Sequence, residues 1–523
     1  MSFAKPLEQQ AMSRVLLNLA REQLITLDYC EDGAWMQHQQ SKHWLAGTTK
    51  SALLEPNTSA VQWPKSLNSL SKLLESVNLQ NSEIGQAIID NYRVNQRVEA
   101  FRAQLPLLDW CTLWQDFGHS MTAHVEQLGA DGHPSHPVER LKIGWSEQQE
   151  QAWSAEYNSQ YQLPIYAIAK SHAQLAAPNA QYFRQCFAHV YLQWQNHLAE
   201  QGINPDEYMP LPVHPGQVEI ANQAEGVIET TASITVRPGI SQRSVYCTEQ
   251  MTMVKVPMDV RTTSAMRHLS TRSCHVGPAL SQWLKDYSGL QAHQNFCVLG
   301  EYDGMYHQDW QARLSVLYRQ SPLEFCTANE TAICTAAFLA NRRGPSLAKQ
   351  LLGDCLSKFK QYCELVITPA LELFLQTGLA LEAHQQNSLL RINQAGQVTG
   401  FMVRDFGAPR ISQADTHHID IDWQIAKSLV VADRATARAK LVHALLLCHI
   451  AELIEQLGDT QARWTIVKEV IRRTISNSQL EDDAKEAEIQ GFCQQPWQVK
   501  ALLSMWGKSD YQYCQISNPM EQL

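Results

Sequence analysis

The sequence predicts an α+β fold, with its 523 residues divided into two or three domains packed closely together. Three observations lead to that class. The first 125 residues carry apolar residues at helical spacing, the middle third alternates helical runs with β-branched stretches, and a strand, turn, strand signature near residue 390 is followed by further helices. With 44% hydrophobic and 18% charged residues, the composition is that of a packed globular chain rather than a disordered one.

In the first region, Leu70, Leu73, Leu74, Val77 and Leu79 stand between polar neighbours at helical spacing, and few strand signals interrupt them. A loop follows at Asp131-Gly-His-Pro-Ser-His-Pro137, where proline after each histidine drives the chain away from helix. From 160 to 315, the helical run Tyr182 to Gln201 alternates with strands such as Ile234 to Val236 and Met251 to Val256; the second places Lys255 opposite Val254 and Val256. From Ser346 to Phe374 apolar residues recur every four positions, predicting one helix that Pro369 disturbs. Glu382 to Asn387 reads as extended, so that Glu382, His384 and Gln386 share a face. Ser388 to Ile392, the turn Asn393 to Gln397 and Val398 to Val403 then form a hairpin that returns Asn387 and Asp405 to the same end of a sheet. Ala437 to Leu457 and Ala462 to Ile475 read as helices.

Lys and Arg number 42 against 52 Asp and Glu, a net charge of −10, which argues against nucleic acid or an anionic membrane surface as the main partner. Thirteen cysteines without a CxxC pair are expected to be reduced, and no apolar leader is visible at the N-terminus; both point to the cytosol. The best candidate span, Leu441 to Ile454, is short and carries His443, His449 and Glu452, so it is expected to be a core helix.

The chemistry-bearing residues fall in three groups. Glu382 and Asp405 are hard-oxygen donors suited to Mg²⁺ with a nucleotide, and Asn387 adds a carbonyl; convergence of such groups is site-like. In a basic stretch that also carries Arg237 and Ser264, Arg243, Lys255 and Arg267, with hydroxyls at Ser241, Ser244 and Thr263, suit the oxygens of a triphosphate. His133 and His136 lack zinc spacing and suit a turn-anchored ligand or phosphate contact, together with Arg140 and Lys142. His214 reads equally as a structural loop histidine and a functional one. Asp405-Phe406-Gly407 also invites comparison with the metal-binding segment of protein kinases, but no Gly-rich loop or HRD-type Asp accompanies it.

Together these segments resemble the NRPS-independent siderophore synthetases of the IucA/IucC type. The pieces are Gly132 to Pro137, Val213-His-Pro-Gly-Gln217, Ser241-Gln-Arg243-Ser244, Lys255, Thr263 to Arg267, Glu382 to Asn387, Arg404-Asp405-Phe406 and Lys500 to Met505, in family order. The resemblance implies a three-part cradle, placed here as a helical thumb (1–125), mixed α/β fingers that bind ATP (126–315) and a palm with β-sheet and helices (316–523), and usually a homodimer. It implies ATP- and Mg²⁺-dependent adenylation of a carboxylate of citrate or a citrate-derived acid, then attack by an amine or alcohol, in iron acquisition. Carried over by motif, Ser241, Arg243, Ser244 and Lys255 contact nucleotide phosphates, with His136, Arg140, Lys142, Gln386 and Asn387 also on the nucleotide. Thr263, Arg267 and His384 form the acyl-transfer centre, Arg267, His384 and Lys500 hold the acid, and Glu382 and Asp405 hold Mg²⁺. The sequence departs from the family in the Arg140, Lys142 order, in Ser244 for Thr, in Gly216 for Trp and in Trp506 for Arg. A small-molecule kinase and a non-catalytic binder of a polycarboxylate or siderophore are the alternative readings.

Overall fold

The computed structural model describes residues 4–50, 56–57, 61–176, 181–263, 265–508 and 512–523; Ser264 lies outside them. Three main apolar clusters organise the chain.

The first joins the N-terminal helix Ala4–Arg21 to helices Leu70–Ser76 and Glu83–Arg102, burying Val15, Leu16, Leu70, Leu73, Leu74 and Ile88 in one core. Ser69 and Ser82 cap the two later helices by accepting from Lys72 N and Gly85 N, which satisfies donors the helix cannot. The expectation of few strands here needs correction. Thr26–Cys30, Gly33–His38 and Ser41–Ala46 form a three-stranded antiparallel meander. Ala34, Met36 and Leu45 supply its buried face, while Trp35 and Trp44 pair directly across the other with rings 5.3 Å apart. Such cross-strand aromatic pairs stabilise a sheet that short polar turns conceal in the sequence.

The second cluster backs a nine-stranded antiparallel sheet. Along its main path run Val227–Ile228, Tyr161–Ala169, Ser233–Pro238, Ser244–Cys247, Met253–Lys255, Ser315–Arg319, Glu301–His307 and Ala173–Leu175, with Tyr208–Pro212 also paired to Tyr161–Ala169. The register sets Ser244 opposite Lys255 and Lys255 opposite Leu317. Trp194, on helix Ala188–Glu200, is fully buried against this sheet with Leu163, Ile165 and Val213. The run predicted as one helix from Tyr182 is interrupted at Phe187, between Tyr182–Cys186 and Ala188–Glu200.

The third and largest cluster packs helices on a four-stranded sheet ordered Phe296–Val298, Val398–Val403, Ser388–Asn393, Glu330–Cys334. The hairpin is as expected: Ser388 pairs with Val403, and Gly396 turns the chain at φ 78°. The helix expected to falter at Pro369 breaks earlier, at Gly353 (φ 56°). It restarts as Leu356–Thr377 and runs through Pro369 to a left-handed Gly378. The lost hydrogen bond costs ~3 kcal/mol in an exposed helix; here Phe359, Val366, Ile367 and Leu373 are buried along the same helix and offset it. Between helices Arg434–Leu441 and Glu452–Leu457, ten residues, Val442–Ala451, wind as a π-helix. No helix of the described residues is long and apolar enough to cross a membrane.

Candidate active site

A cavity of ≈ 290 Å³ is lined from three parts of the chain: Arg21, residues between 132 and 267, and residues between 336 and 505. Its walls are the His-Pro loop, the segment Thr262 to Arg267, the turn after Leu381, the π-helix and the C-terminal segment from Lys500 to Met505. Of the residues expected to bind or react, His136, Arg140, Lys142, Thr263, Arg267, Glu382, His384, Gln386 and Lys500 all line it.

The His-Pro loop is held by its own imidazoles. His133 Nδ1 accepts from His136 N (3.0 Å), and His136 Nδ1 accepts from Val138 N (3.0 Å). Gly132 sits at φ 86°, and a Cβ there would lie 2.5 Å from Glu139 Cγ, so the close approach of loop and Glu139 requires glycine. Burial pushes the His136 imidazolium pKa down to about 4, so the ring is neutral at physiological pH.

Glu382 to Asn387 is not extended throughout, as the sequence suggested: His384 to Asn387 forms a compact turn. His384 organises it. Its Nδ1 accepts from Gln386 N (3.2 Å), and its carbonyl accepts from Asn387 N (2.9 Å) and Ser388 Oγ (3.0 Å). Local hydrogen bonds to a polar side chain compete successfully with strand geometry here. From below, Arg404 donates to the Gln386 carbonyl (2.8 Å) and, through both terminal nitrogens, to Glu126 (2.8 and 3.1 Å); Tyr246 Oη donates to the same carboxylate (2.7 Å). Glu126 is fully buried, and no pattern in the chain marks it out: it is a single Glu on helix Thr122–Leu128.

The basic group divides. Arg267 lines the cavity, and among the described residues its side-chain hydrogen bonds run only to the Thr262 and Thr263 hydroxyls. Burial, then the nearby Arg243, lower its pKa to about 10 against the opposing pull of Asp405, so it stays a cation whose side chain is hydrogen-bonded to no carboxylate among the described residues. Lys255 lies behind the cavity, 2% exposed, and donates to Asp405 Oδ2 (2.8 Å), with Arg319 3.5 Å from the same oxygen and bonded to Glu301 (2.6 Å). Burial favours the neutral Asp405 acid, but Lys255, Arg319 and Arg243 outweigh it and hold the carboxyl well below its usual range. Asp405 adopts φ 74°, Thr263 φ 53° and Gln242 φ 65°: three non-glycine residues in the left-handed region around one site. Ser241 Oγ accepts from Ser244 N (3.1 Å), while the Ser244 hydroxyl is buried without a partner. Arg237 turns away to Gln127 (3.0 Å).

Two expected cations arrive already paired. Arg140 donates to Glu99 (2.6 Å) and Lys142 to Glu156 (2.9 Å). The expected metal ligands are likewise answered by ammonium groups, Glu382 by Lys440 and Asp405 by Lys255. Their hard oxygens suit Mg²⁺, and Asp405 Oδ1 accepts only from Gly407 N (3.3 Å), which leaves it lone-pair capacity. Among the described residues no three His, Cys, Asp or Glu are grouped to hold a metal on their own. Trp506 packs behind the cavity, its ring 6.1 Å from His136 with Arg261 stacked 4.8 Å from its centroid. At Gly216 an added Cβ would approach Trp153 and His214 to about 3.3 Å, so this chain fills with Trp153 the space beside its short loop. His214 is fully buried in an aromatic box of Trp145, Trp153 and Tyr161, the structural reading.

Residues 121–340 match the family described as "IucA / IucC family", and residues 359–512 match one described as "Ferric iron reductase FhuF-like transporter". Staphyloferrin A synthase of Staphylococcus aureus is 27% identical over 387 residues, 68% of this chain and 65% of that enzyme. D-ornithine–citrate ligase of the same organism is 23% identical over 399 residues, 66% of this chain and 60% of that enzyme. This chain thus aligns with less than two thirds of the length of either. The crystal structure of petrobactin biosynthesis protein AsbB from Bacillus anthracis superposes with a TM-score of 0.82 at 17% identity, covering 99% of this chain and 96% of that one, which establishes a shared fold.

Proposed function

The chain belongs to the IucA/IucC family of NRPS-independent siderophore synthetases, and from that premise we propose that it is an ATP-dependent ligase of siderophore biosynthesis. It adenylates a carboxylate of citrate or a citrate-derived acid and passes the acyl group to an amine or alcohol, releasing AMP and pyrophosphate. The observation that carries this reading is the cavity that Arg267, a cation bonded only to hydroxyls, shares with Lys500 and the neutral rings of His136 and His384. An acidic protein has concentrated anion-binding groups in one concave site.

Attack of a carboxylate on the α-phosphorus brings two anions together. Arg243, Lys255 and Arg319 form a fixed positive field behind Asp405, preorganised before substrate enters. Mg²⁺ held at Asp405 and Glu382 would add charge neutralisation at the phosphates. His384 Nδ1 is occupied by the Gln386 N–H, so the neutral ring carries its proton on Nε2 and acts as a hydrogen-bond donor. With Arg267 it stabilises the oxyanion that forms when the nucleophile adds to the acyl carbon. The relatives' names, a D-ornithine–citrate ligase among them, support citrate-like acids and amines as the substrate classes. A cytoplasmic homodimer is the accompanying expectation, tested by sedimentation.

Hydroxylamine-trapped adenylation across di- and tricarboxylates, read as pyrophosphate and hydroxamate, tests the proposal. Stimulation by citrate-type acids with AMP as co-product is expected. ADP as product would indicate a kinase, and acid binding without turnover a binder; either result overturns the ligase reading.

A further inference from the structure

The turn that carries His384 is fastened on three sides. Arg404 holds the Gln386 carbonyl, and Ala336 N donates to the Gln385 carbonyl (2.8 Å). The third fastening is a side chain: Gln385 Nε2 donates to the Cys448 carbonyl (3.1 Å), which belongs to the π-helix. Gln385 is half-buried and lines the cavity beside His384. Among the described residues, that bond to Cys448 is the only one its amide side chain makes.

The π-helix gives that amide something to hold. In α winding the Cys448 carbonyl would accept from the N–H four residues on, that of Glu452. Glu452 N donates instead to the His449 carbonyl, at the point where the helix returns from wide to ordinary winding. A carbonyl passed over in this way is a ready acceptor, and Gln385 answers it from outside the helix. The platform itself is firm, with Val442, Leu445, Leu446, Leu447 and Ile450 all buried in the largest core. A second tie precedes the first, since Glu382 is paired with Lys440 on the α-helix that leads into the wide winding.

We propose that Gln385 is a positioning residue for acyl transfer, holding the His384 turn against the π-helix, an assignment that rests on the ligase reading above. As the nucleophile's nitrogen bonds to the acyl carbon, negative charge gathers on the acyl oxygen, and the bond from that carbon to AMP then breaks. A donor that stabilises this oxygen has to be in place beforehand, because a misplacement of 1 Å costs on the order of 100-fold in rate. The bonds His384 makes to Gln386, Asn387 and Ser388 fix the shape of its turn. Gln385 fixes where that turn sits. It acts through His384 and not on the substrates, so its loss is felt when the acyl group is transferred rather than when the adenylate forms.

Two variants test the assignment. Gln385→Met keeps the length of the side chain and removes its donor; Gln385→His restores a donor, Nε2, at the same number of bonds from Cα. Each is compared with wild type, using the acid of the panel that wild type adenylates fastest. Exchange of pyrophosphate into ATP reads adenylation. Amide formation reads transfer, with whichever of ornithine, ethylenediamine or spermidine wild type couples fastest, or with hydroxylamine if it couples none. Gln385→Met is expected to lower the turnover of amide formation ~10- to 100-fold, with the KM for acid and ATP and the rate of exchange within ~3-fold of wild type and little change in thermal midpoint. Gln385→His is expected to keep at least about a third of wild-type turnover.

A raised KM for the acid at unchanged turnover would put Gln385 on the substrate, and equal losses in exchange and transfer would make its role one of general structure. Either result overturns the assignment. So does full activity in Gln385→Met, or a Gln385→His as impaired as Gln385→Met. If Gln385→Met does not fold, Gln385→Ala takes its place, and failure of both to fold overturns the assignment as well. A wild type that supports neither exchange nor hydroxamate formation with any acid of the panel instead refutes the ligase reading itself.

Discussion

Replacing Glu126 tests whether the buried Arg404 pair holds the His384 turn. Glu126 accepts four hydrogen bonds: two from Arg404 at 2.8 and 3.1 Å, one from Tyr246 at 2.7 Å and one from Ile240 N at 2.9 Å. Glu126→Gln removes the countercharge while nearly preserving volume. Arg404, 3% exposed, keeps only neutral partners, the Gln386 carbonyl and the Tyr246 hydroxyl among them. A guanidinium left without its carboxylate in such a position costs about 3–5 kcal/mol; the surviving amide oxygen recovers about 1 kcal/mol of that. The expected destabilisation is therefore ~2–4 kcal/mol by urea unfolding. Because the Gln386 carbonyl depends on Arg404, adenylation should weaken as well, even in variant protein that remains folded. A double-mutant cycle with Arg404→Met isolates the pair: once the guanidinium is also gone, most of the Glu126→Gln penalty should disappear, giving a coupling of at least ~2 kcal/mol. Single-variant losses below ~1 kcal/mol, or strictly additive ones, would refute the reasoning.

Arg267→Ala is expected to abolish product formation while leaving the thermal midpoint within a degree or two, since no carboxylate loses its partner; full activity in the variant would remove Arg267 from the mechanism. Glu22→Ala removes the acceptor of hydrogen bonds from Leu503 N, Ser504 N and Ser504 Oγ, and should raise the KM for the acid about tenfold by loosening the segment that carries Lys500, with a smaller effect on the ATP KM. Burial holds His136 near 4 and His214 near 3, below the ordinary value of about 6.5. The unfolded chain therefore binds more protons across that window. Stability should be complete above pH ~6.5 and decline as the pH falls toward 4, by on the order of 2–3 kcal/mol per ring; His214→Phe should flatten the slope of the urea midpoint against pH.

The α+β class was legible in the sequence, and so was the hairpin from Ser388 to Val403 with its Gly-bearing turn. Of the residues that the ordered motifs singled out, His136, Arg140, Lys142, Thr263, Arg267, Glu382, His384, Gln386 and Lys500 line one cavity, whereas Ser241, Arg243, Ser244, Lys255, Asn387 and Asp405 do not. What failed was local conformation where side chains override the pattern. His384 to Asn387 folds as a turn because His384 captures neighbouring donors, and no periodicity encodes that capture. The N-terminal meander was hidden by polar outer faces, and the helix through Pro369 by a core that tolerates the proline. Glu126 had no signal at all: it is an ordinary acidic residue on a short helix, and its role arises from Arg404 and Tyr246, far away in the chain.

The fastening of Ser504 to Glu22, 482 residues apart in sequence, has a consequence for how the protein matures. The cavity takes a wall from Lys500 to Met505 and another from Arg21, so its last side is laid down only after residue 505 has been synthesised. Contacts of such separation close late in folding, after the local sheets and helices have formed. Affinity for the acid then reports completed tertiary structure: a nascent or truncated chain lacking residues 500–505 can fold its sheets and still have no closed pocket, and ligand-induced protection from proteolysis can serve to time the final step of assembly.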